Sequence, residues 1–112
     1  MIAQIRPADL ADWLQQHAGA RPVVLDVREP WEIRTASVAP EGFELVTIPM
    51  GVLLARLDEL DKTRPVACLC HLGGRSMQVA MYLEHQGFAQ VANIAGGIHA
   101  WSLELDAGVP MY

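Results

Sequence analysis

Short apolar runs alternate along this chain with segments in which apolar side chains recur every three or four residues. Val23, Val24, Leu25 and Val27 form a β-branched-rich run with little alternation, which predicts a strand covered on both sides. Leu45 to Ile48, Val66 to Leu69 and Val91 to Ile94 predict three further strands. Between them lie helix-period segments. Pro7 opens the first, with Leu10, Trp13 and Leu14 on one face. A short helical turn is expected from Pro30 to Arg34. Leu53, Leu57 and Leu60 predict a helix over about 52–60. A longer helix over about 76–86 turns Val79, Ala80 and Leu83 inward and stops at Gly87. Gly96 and Gly97 then turn the chain into a short last helix containing Trp101. Strand–helix alternation of this kind calls for an α/β fold, a mainly parallel sheet with helices on both faces and right-handed crossovers. Ligands in such sheets bind beyond the carboxyl ends of the strands, and Cys70 stands at one of those ends.

Composition narrows the possibilities. A chain of 112 residues, 52% hydrophobic and 19% charged, fits one domain over residues 1–112 with an ordinary core. Its formal net charge of −5 argues against nucleic acid or an anionic membrane as partner, since phosphate contacts need clustered Lys and Arg. Any bound anion must be held by a local pocket. The opening MIAQIRPADL lacks a basic stretch followed by an apolar run, and no run of apolar residues is long enough to span a membrane. Cys68 and Cys70, one residue apart, are poorly placed to bridge each other. A reducing, cytoplasmic setting is the expectation.

The chemistry concentrates in Cys70-His71-Leu72-Gly73-Gly74-Arg75-Ser76, which follows an apolar strand and leads into a helix. Backbone N–H groups in such a turn can converge on one centre, and the helix N-terminus adds partial positive charge. Gly73 and Gly74 permit positive φ and a close approach to a ligand. Arg75 supplies a guanidinium able to grip an oxyanion through two hydrogen bonds. A thiol at the focus of these donors is biased toward thiolate. A cysteine at a strand end is ordinarily a small buried hydrophobe; Gly, Gly, Arg and Ser at these offsets reverse that reading for Cys70, while Cys68, inside the strand, is read as core.

Cys-x-x-Gly-x-Arg-Ser after a hydrophobic strand resembles the active-site loop of rhodanese-like sulfurtransferases. Leu25-Asp26-Val27-Arg28-Glu29 and Gly96-Gly97-Ile98-His99-Ala100-Trp101 resemble two further signatures of that family, and the likeness runs through Val109-Pro110-Met111-Tyr112. The resemblance implies a three-layer sandwich around a mainly parallel five-stranded sheet. It implies that Cys70 accepts a sulfane sulfur from a small anionic donor such as thiosulfate and passes it to a thiol or cyanide, by double displacement and without metal or organic cofactor. His71, Leu72, Gly73, Gly74, Arg75 and Ser76 would bind the substrate, with the loop amides stabilising thiolate and persulfide and Arg75 holding the donor's sulfonate. The loop of six residues from Cys70 to Arg75 is the length found in the family; related phosphatases use one residue more.

Around the loop, Asp26 and Arg28 are expected to support the site, Asp26 by accepting backbone N–H bonds and Arg28 by pairing with a carboxylate. His71 is read either as a ligand to an incoming sulfonate or as a loop residue whose N–H matters more than its ring. His17, His85 and His99 show no metal-ligand spacing and are read as surface residues. Trp13, Trp31 and Trp101 are expected against the sheet, with the pocket rim as the alternative for Trp31. The stretch Thr35 to Phe43 departs from the family's Gly-His-Ile-Pro-Gly-Ala-like segment, which leaves local geometry and any partner surface there open. A persulfide carrier serving a thiol-bearing partner protein is the second functional reading, and a phosphatase or arsenate reductase on the same fold is the third. The physiological donor and acceptor, and the oligomeric state, are not specified by these residues.

Overall fold

The computed structural model describes residues 2–112. Strands β1 (Ala3–Ile5), β2 (Val23–Asp26), β3 (Glu44–Thr47), β4 (Val66–Leu69) and β5 (Val91–Ile94) form one sheet in the order β1-β5-β4-β2-β3. Every neighbouring pair is parallel, so each connection must cross a face of the sheet. The crossovers carry α1 (Leu10–Gln16), α2 (Pro30–Thr35), a 3-10 stretch over 50–59 and α3 (Gly74–His85), and α4 (Gly97–Glu104) follows β5.

Alternation along the strands separates two cores. Val23, Leu25, Val27, Val66 and Cys68 share one face with Val79, Ala80 and Leu83 of α3 and with Leu53 and Leu60. Val24, Ala67, Leu69, Ala92 and Ile94 share the other with Leu10 and Trp13 of α1 and Ile98 and Trp101 of α4. The inner strands β2 and β4 are buried at every position, which is why they read as continuous apolar runs.

The structure departs from the sequence expectations at the edges. The fifth strand of the expected sheet, β1, has no apolar run to mark it: Ala3-Gln4-Ile5 is short and mostly exposed, and it is a strand because β5 offers it an unpaired edge. The helix expected over 52–60 is instead two 3-10 turns, Met50–Val52 and Leu54–Glu59, closed by bonds such as Arg56 N–H to Leu53 O and Leu60 N–H to Leu57 O. Leu53 and Leu60 are buried all the same; over so few turns, apolar spacing does not separate 3.0 from 3.6 residues per turn. Helix α3 begins at Gly74, two residues before its expected start, so Gly74 and Arg75 belong to its first turn. Trp31 does not pack against the sheet and is exposed. His99 and His17 are half-buried, with rings 6.5 Å from that of His71 and 4.8 Å from that of Trp13, while His85 is exposed, so of the three His85 is the surface residue expected.

Candidate active site

Parallel strands deliver their carboxyl ends to one edge. Asp26 is in register with Leu69, and Cys68 with Asn93. The residues that follow β2, β4 and β5 therefore meet there, which brings together Arg28, the Cys70 loop and the Gly96–Gly97 turn from three distant parts of the chain.

Cys70 is buried on the α3 side of the sheet, and its Sγ accepts the Gly73 N–H at 3.0 Å. Of the loop amides expected to converge on the sulfur, this is the one that makes a hydrogen bond to it among the described residues. The bond requires an unusual backbone: Gly73 sits at φ +107°, and a Cβ there would come within 3.1 Å of Gly96 N. The first-turn N–H groups of α3 have no intrahelical acceptor and carry the helix's partial positive charge toward the same edge. Cys68, two residues earlier, is enclosed by apolar side chains; burial pushes its thiol up, with Cys70 beside it adding to the effect. Cys68 thus lies within β4, while Cys70, just beyond the strand, accepts the loop amide.

The loop's outer side rests on the turn after β5. Ile98 and His99 donate their N–H groups to the carbonyls of Cys70 and His71 at 2.9 and 3.2 Å. On its inner side, Ser76 Oγ donates to Asn93 Oδ1 at 2.5 Å, while Asn93 Nδ2 donates to Gly73 O at 3.3 Å and to Gln4 Oε1 at 3.0 Å. Ser76 is buried and bonds the loop both directly, at Gly73 O at 3.2 Å, and through Asn93 of β5. Leu72 projects outward and Gly74 is exposed.

Arg28 and Asp26 form a fully buried, two-pronged pair, Nε to Oδ1 at 2.9 Å and Nη2 to Oδ2 at 2.7 Å, and Asp26 Oδ1 also accepts the Arg28 N–H at 3.2 Å. The remaining prong of Arg28, Nη1, donates to Glu32 O and to the Tyr112 hydroxyl at 3.3 and 3.1 Å. Burial opposes the charge on Arg28, but Asp26 and Tyr112 outweigh it and hold the guanidinium above its ordinary value.

Glu32 of α2, which sequence reasoning passed over, organises the other half of the site. It is buried and receives Arg75 Nη1 and Nη2 at 2.6 and 2.7 Å, the Glu29 N–H at 3.0 Å and the Tyr112 O–H at 2.7 Å. The Arg75 bonds, helped by the Glu29 amide and Tyr112 against the cost of burial, lower its carboxyl from 4.5 to about 2. Arg75 is raised in turn, chiefly by the same bonds. Tyr112 also lies flat on His71, ring centroids 3.9 Å apart at 9°, with Trp31 meeting it edge-on at 6.1 Å. His71 Nε2 is buried and has no hydrogen-bond partner among the described residues.

A pH prediction follows from Glu32. Its carboxyl is depressed in the folded state, so it stabilises the fold above about pH 4.5 and this contribution is lost as pH falls toward 2. A titration of denaturant midpoints should show wild type losing roughly 3 kcal/mol over that interval relative to Glu32→Gln. Parallel curves for the two proteins would contradict it.

Comparison with known proteins agrees with this geometry. The model of the rhodanese-like domain matches residues 10–104. The chain belongs to the rhodanese-like family. This rhodanese-like chain is 38% identical over 80 residues to a sulfurtransferase of Allochromatium vinosum, covering 71% of each protein. It is 43% identical over 91 residues to the rhodanese-like/PpiC domain-containing protein 12, chloroplastic, of Arabidopsis thaliana, covering 80% of this chain but only 30% of that longer protein. Among solved structures, the crystal structure of a rhodanese-like domain protein from Staphylococcus aureus superposes with a TM-score of 0.75 at 28% identity, covering 99% of both chains. Sulfur transfer is therefore the general activity of this rhodanese-like chain. No helix among its described residues is long and apolar enough to cross a membrane.

Proposed function

We propose that the protein is a thiosulfate-sulfurtransferase-type enzyme that carries sulfur as a persulfide on Cys70. The thiolate attacks the sulfane sulfur of a donor. With thiosulfate, the bond to the sulfonate sulfur breaks and sulfite leaves with the electron pair, giving Cys70–S–S⁻. An acceptor thiolate or cyanide then attacks the outer sulfur and Cys70 leaves as thiolate. The observation that carries this reading is the Gly73 N–H bonded to Cys70 Sγ beside the N-terminus of α3, which sets a hydrogen-bond donor and a helix terminus at the sulfur that would carry the transferred atom. The unpartnered His71 Nε2 supports a part for His71 in bonding the incoming sulfur compound. Asp26 and Arg28 support the site from beneath. The free thiols of Cys68 and Cys70 suit a reducing, cytoplasmic setting.

A persulfide carrier for a partner protein is the second reading. It is favoured by one observation: Arg75, the residue that would attract a small sulfonate, is spent on Glu32.

Intact-mass measurement tests both. After exposure to excess thiosulfate or an organic persulfide, the protein should be one sulfur atom heavier, with the added atom on the peptide bearing Cys70 and removable by cyanide as thiocyanate. Loading without steady turnover would select the carrier. An unchanged mass with every donor would sink the sulfur-transfer chemistry at Cys70.

A further inference from the structure

Both arginines of the site are already paired. Arg28 is buried against Asp26, and Arg75 faces Glu32 fork to fork. Two guanidiniums and two carboxylates leave these pairs with no net charge, and exposed Glu29 beside them adds negative charge. A sulfonate can take Arg75 only by sharing it with, or displacing, a buried carboxylate. Displacement would strand the Glu32 charge in the interior, and sharing would bring like charges together. A dianion such as thiosulfate therefore meets no uncompensated guanidinium.

The rim has the opposite character. Trp31 is 57% exposed, Leu72 62% and Met111 51%. Ring contacts join Trp31 to Tyr112 and Tyr112 to His71, and Met111 and Leu72 are the chain neighbours of Tyr112 and His71. This surface suits a carbon body.

We infer that Glu32 is a specificity-determining residue: by occupying Arg75 it turns the Cys70 loop away from inorganic sulfonates and toward organic persulfides, R–S–SH, whose R group rests on the Trp31–Tyr112–Leu72 rim. The inference rests on the proposed sulfur transfer through Cys70 and narrows its donor from thiosulfate to organic persulfides. In the loading step, the Cys70 thiolate attacks the outer sulfur of R–S–SH, the donor's S–S bond breaks, and R–S⁻ leaves with the electron pair. The product is Cys70–S–SH, and one negative charge is present before and after.

Initial loading rates, followed by intact mass for thiosulfate and for cysteine persulfide at several salt concentrations, test it in wild type and Glu32→Gln. In wild type, KM for thiosulfate should be nearly independent of salt, as expected without a free cation. Glu32→Gln should lower the thiosulfate KM about five- to tenfold and make it rise with salt, while the cysteine persulfide KM changes less than about twofold. A residue with only a structural role would shift both donors together. A persulfidated cysteine peptide run alongside distinguishes a polypeptide from a small-molecule source of the R group: the source with the lower KM is the one the rim accepts, and either one falling below thiosulfate supports the assignment. The inference is overturned by a wild-type thiosulfate KM that climbs steeply with salt, a measurement that needs no variant to fold. It is equally overturned by a Glu32→Gln protein with an unchanged ratio of kcat/KM for the two donors. Absence of loading from any donor would instead reject the chemistry on which it rests.

Discussion

Cys70→Ser is expected to yield a folded protein that takes up no sulfur from any donor. The hydroxyl is nearly isosteric with the thiol and can accept the same Gly73 N–H, so the loop keeps its anchor. Stability should stay within about 1 kcal/mol of wild type, because no cavity or unpaired donor is created. The chemistry is lost for another reason. A serine hydroxyl is not ionised near neutral pH, and oxygen does not form the sulfur–sulfur bond of a persulfide. Cys68 cannot replace it, because that side chain is enclosed in the core and its thiol is pushed up by burial. Turnover to thiocyanate should fall by at least about a thousandfold, the scale seen when a covalent nucleophile is removed. A Ser variant that still gains one sulfur atom by intact mass would show that the thiol at position 70 is not the carrier.

Gly97→Ala is expected to damage the site almost as severely while leaving every loop side chain in place. Gly97 adopts φ +60°, and an added Cβ would lie 2.4 Å from His71 O and 2.5 Å from Cys70 O. These contacts are with backbone, so no flexible side chain can move aside. The same two carbonyls accept the Ile98 and His99 amides, which means the clash falls on the bonds that hold the Cys70 loop to α4. Left-handed strain and overpacking together should cost about 2–5 kcal/mol. The displaced loop should lower kcat/KM by about a hundredfold, as misplacement on the ångström scale does. Gly51→Ala is the control: a Cβ there meets nothing within 4 Å, and its φ is not in the left-handed region. Denaturant melts and thiocyanate assays on both variants decide the matter. A Gly97→Ala protein as stable and active as the control would refute this account of the Gly96–Gly97 signature.

The second carboxylate–guanidinium pair illustrates what local patterning conceals. Asp26 and Arg28 stand two residues apart, and their pairing needs no distant partner. Glu32 and Arg75 are separated by 43 positions. From the sequence, Glu32 is an acidic residue in the first turn of a short helix, an unremarked position on an apparent surface. One signal was present: an acidic residue near a helix start with no core reason to be buried, lying close after the Asp26–Arg28 signature. Asn93 offered a clearer one, since a lone amide within the apolar run Val91 to Ile94 must find partners if that run is a buried strand. Tyr112 had none, because nothing in a chain end announces which distant ring it will cover.

What the sequence determined by itself is everything that depends on neighbours along the chain. Unbroken apolar runs specify inner strands, and the glycine-bearing turn between β4 and α3 specifies a thiol at the mouth of a helix, because backbone torsion and burial preference act over a few residues. What only the tertiary structure decided is which charges meet, which edge becomes a strand and how much of the loop's guanidinium is left for a ligand. Those outcomes depend on desolvation and on contacts between elements many residues apart. A buried charge is governed by the partner the fold brings to it, and for Arg75 that partner is Glu32.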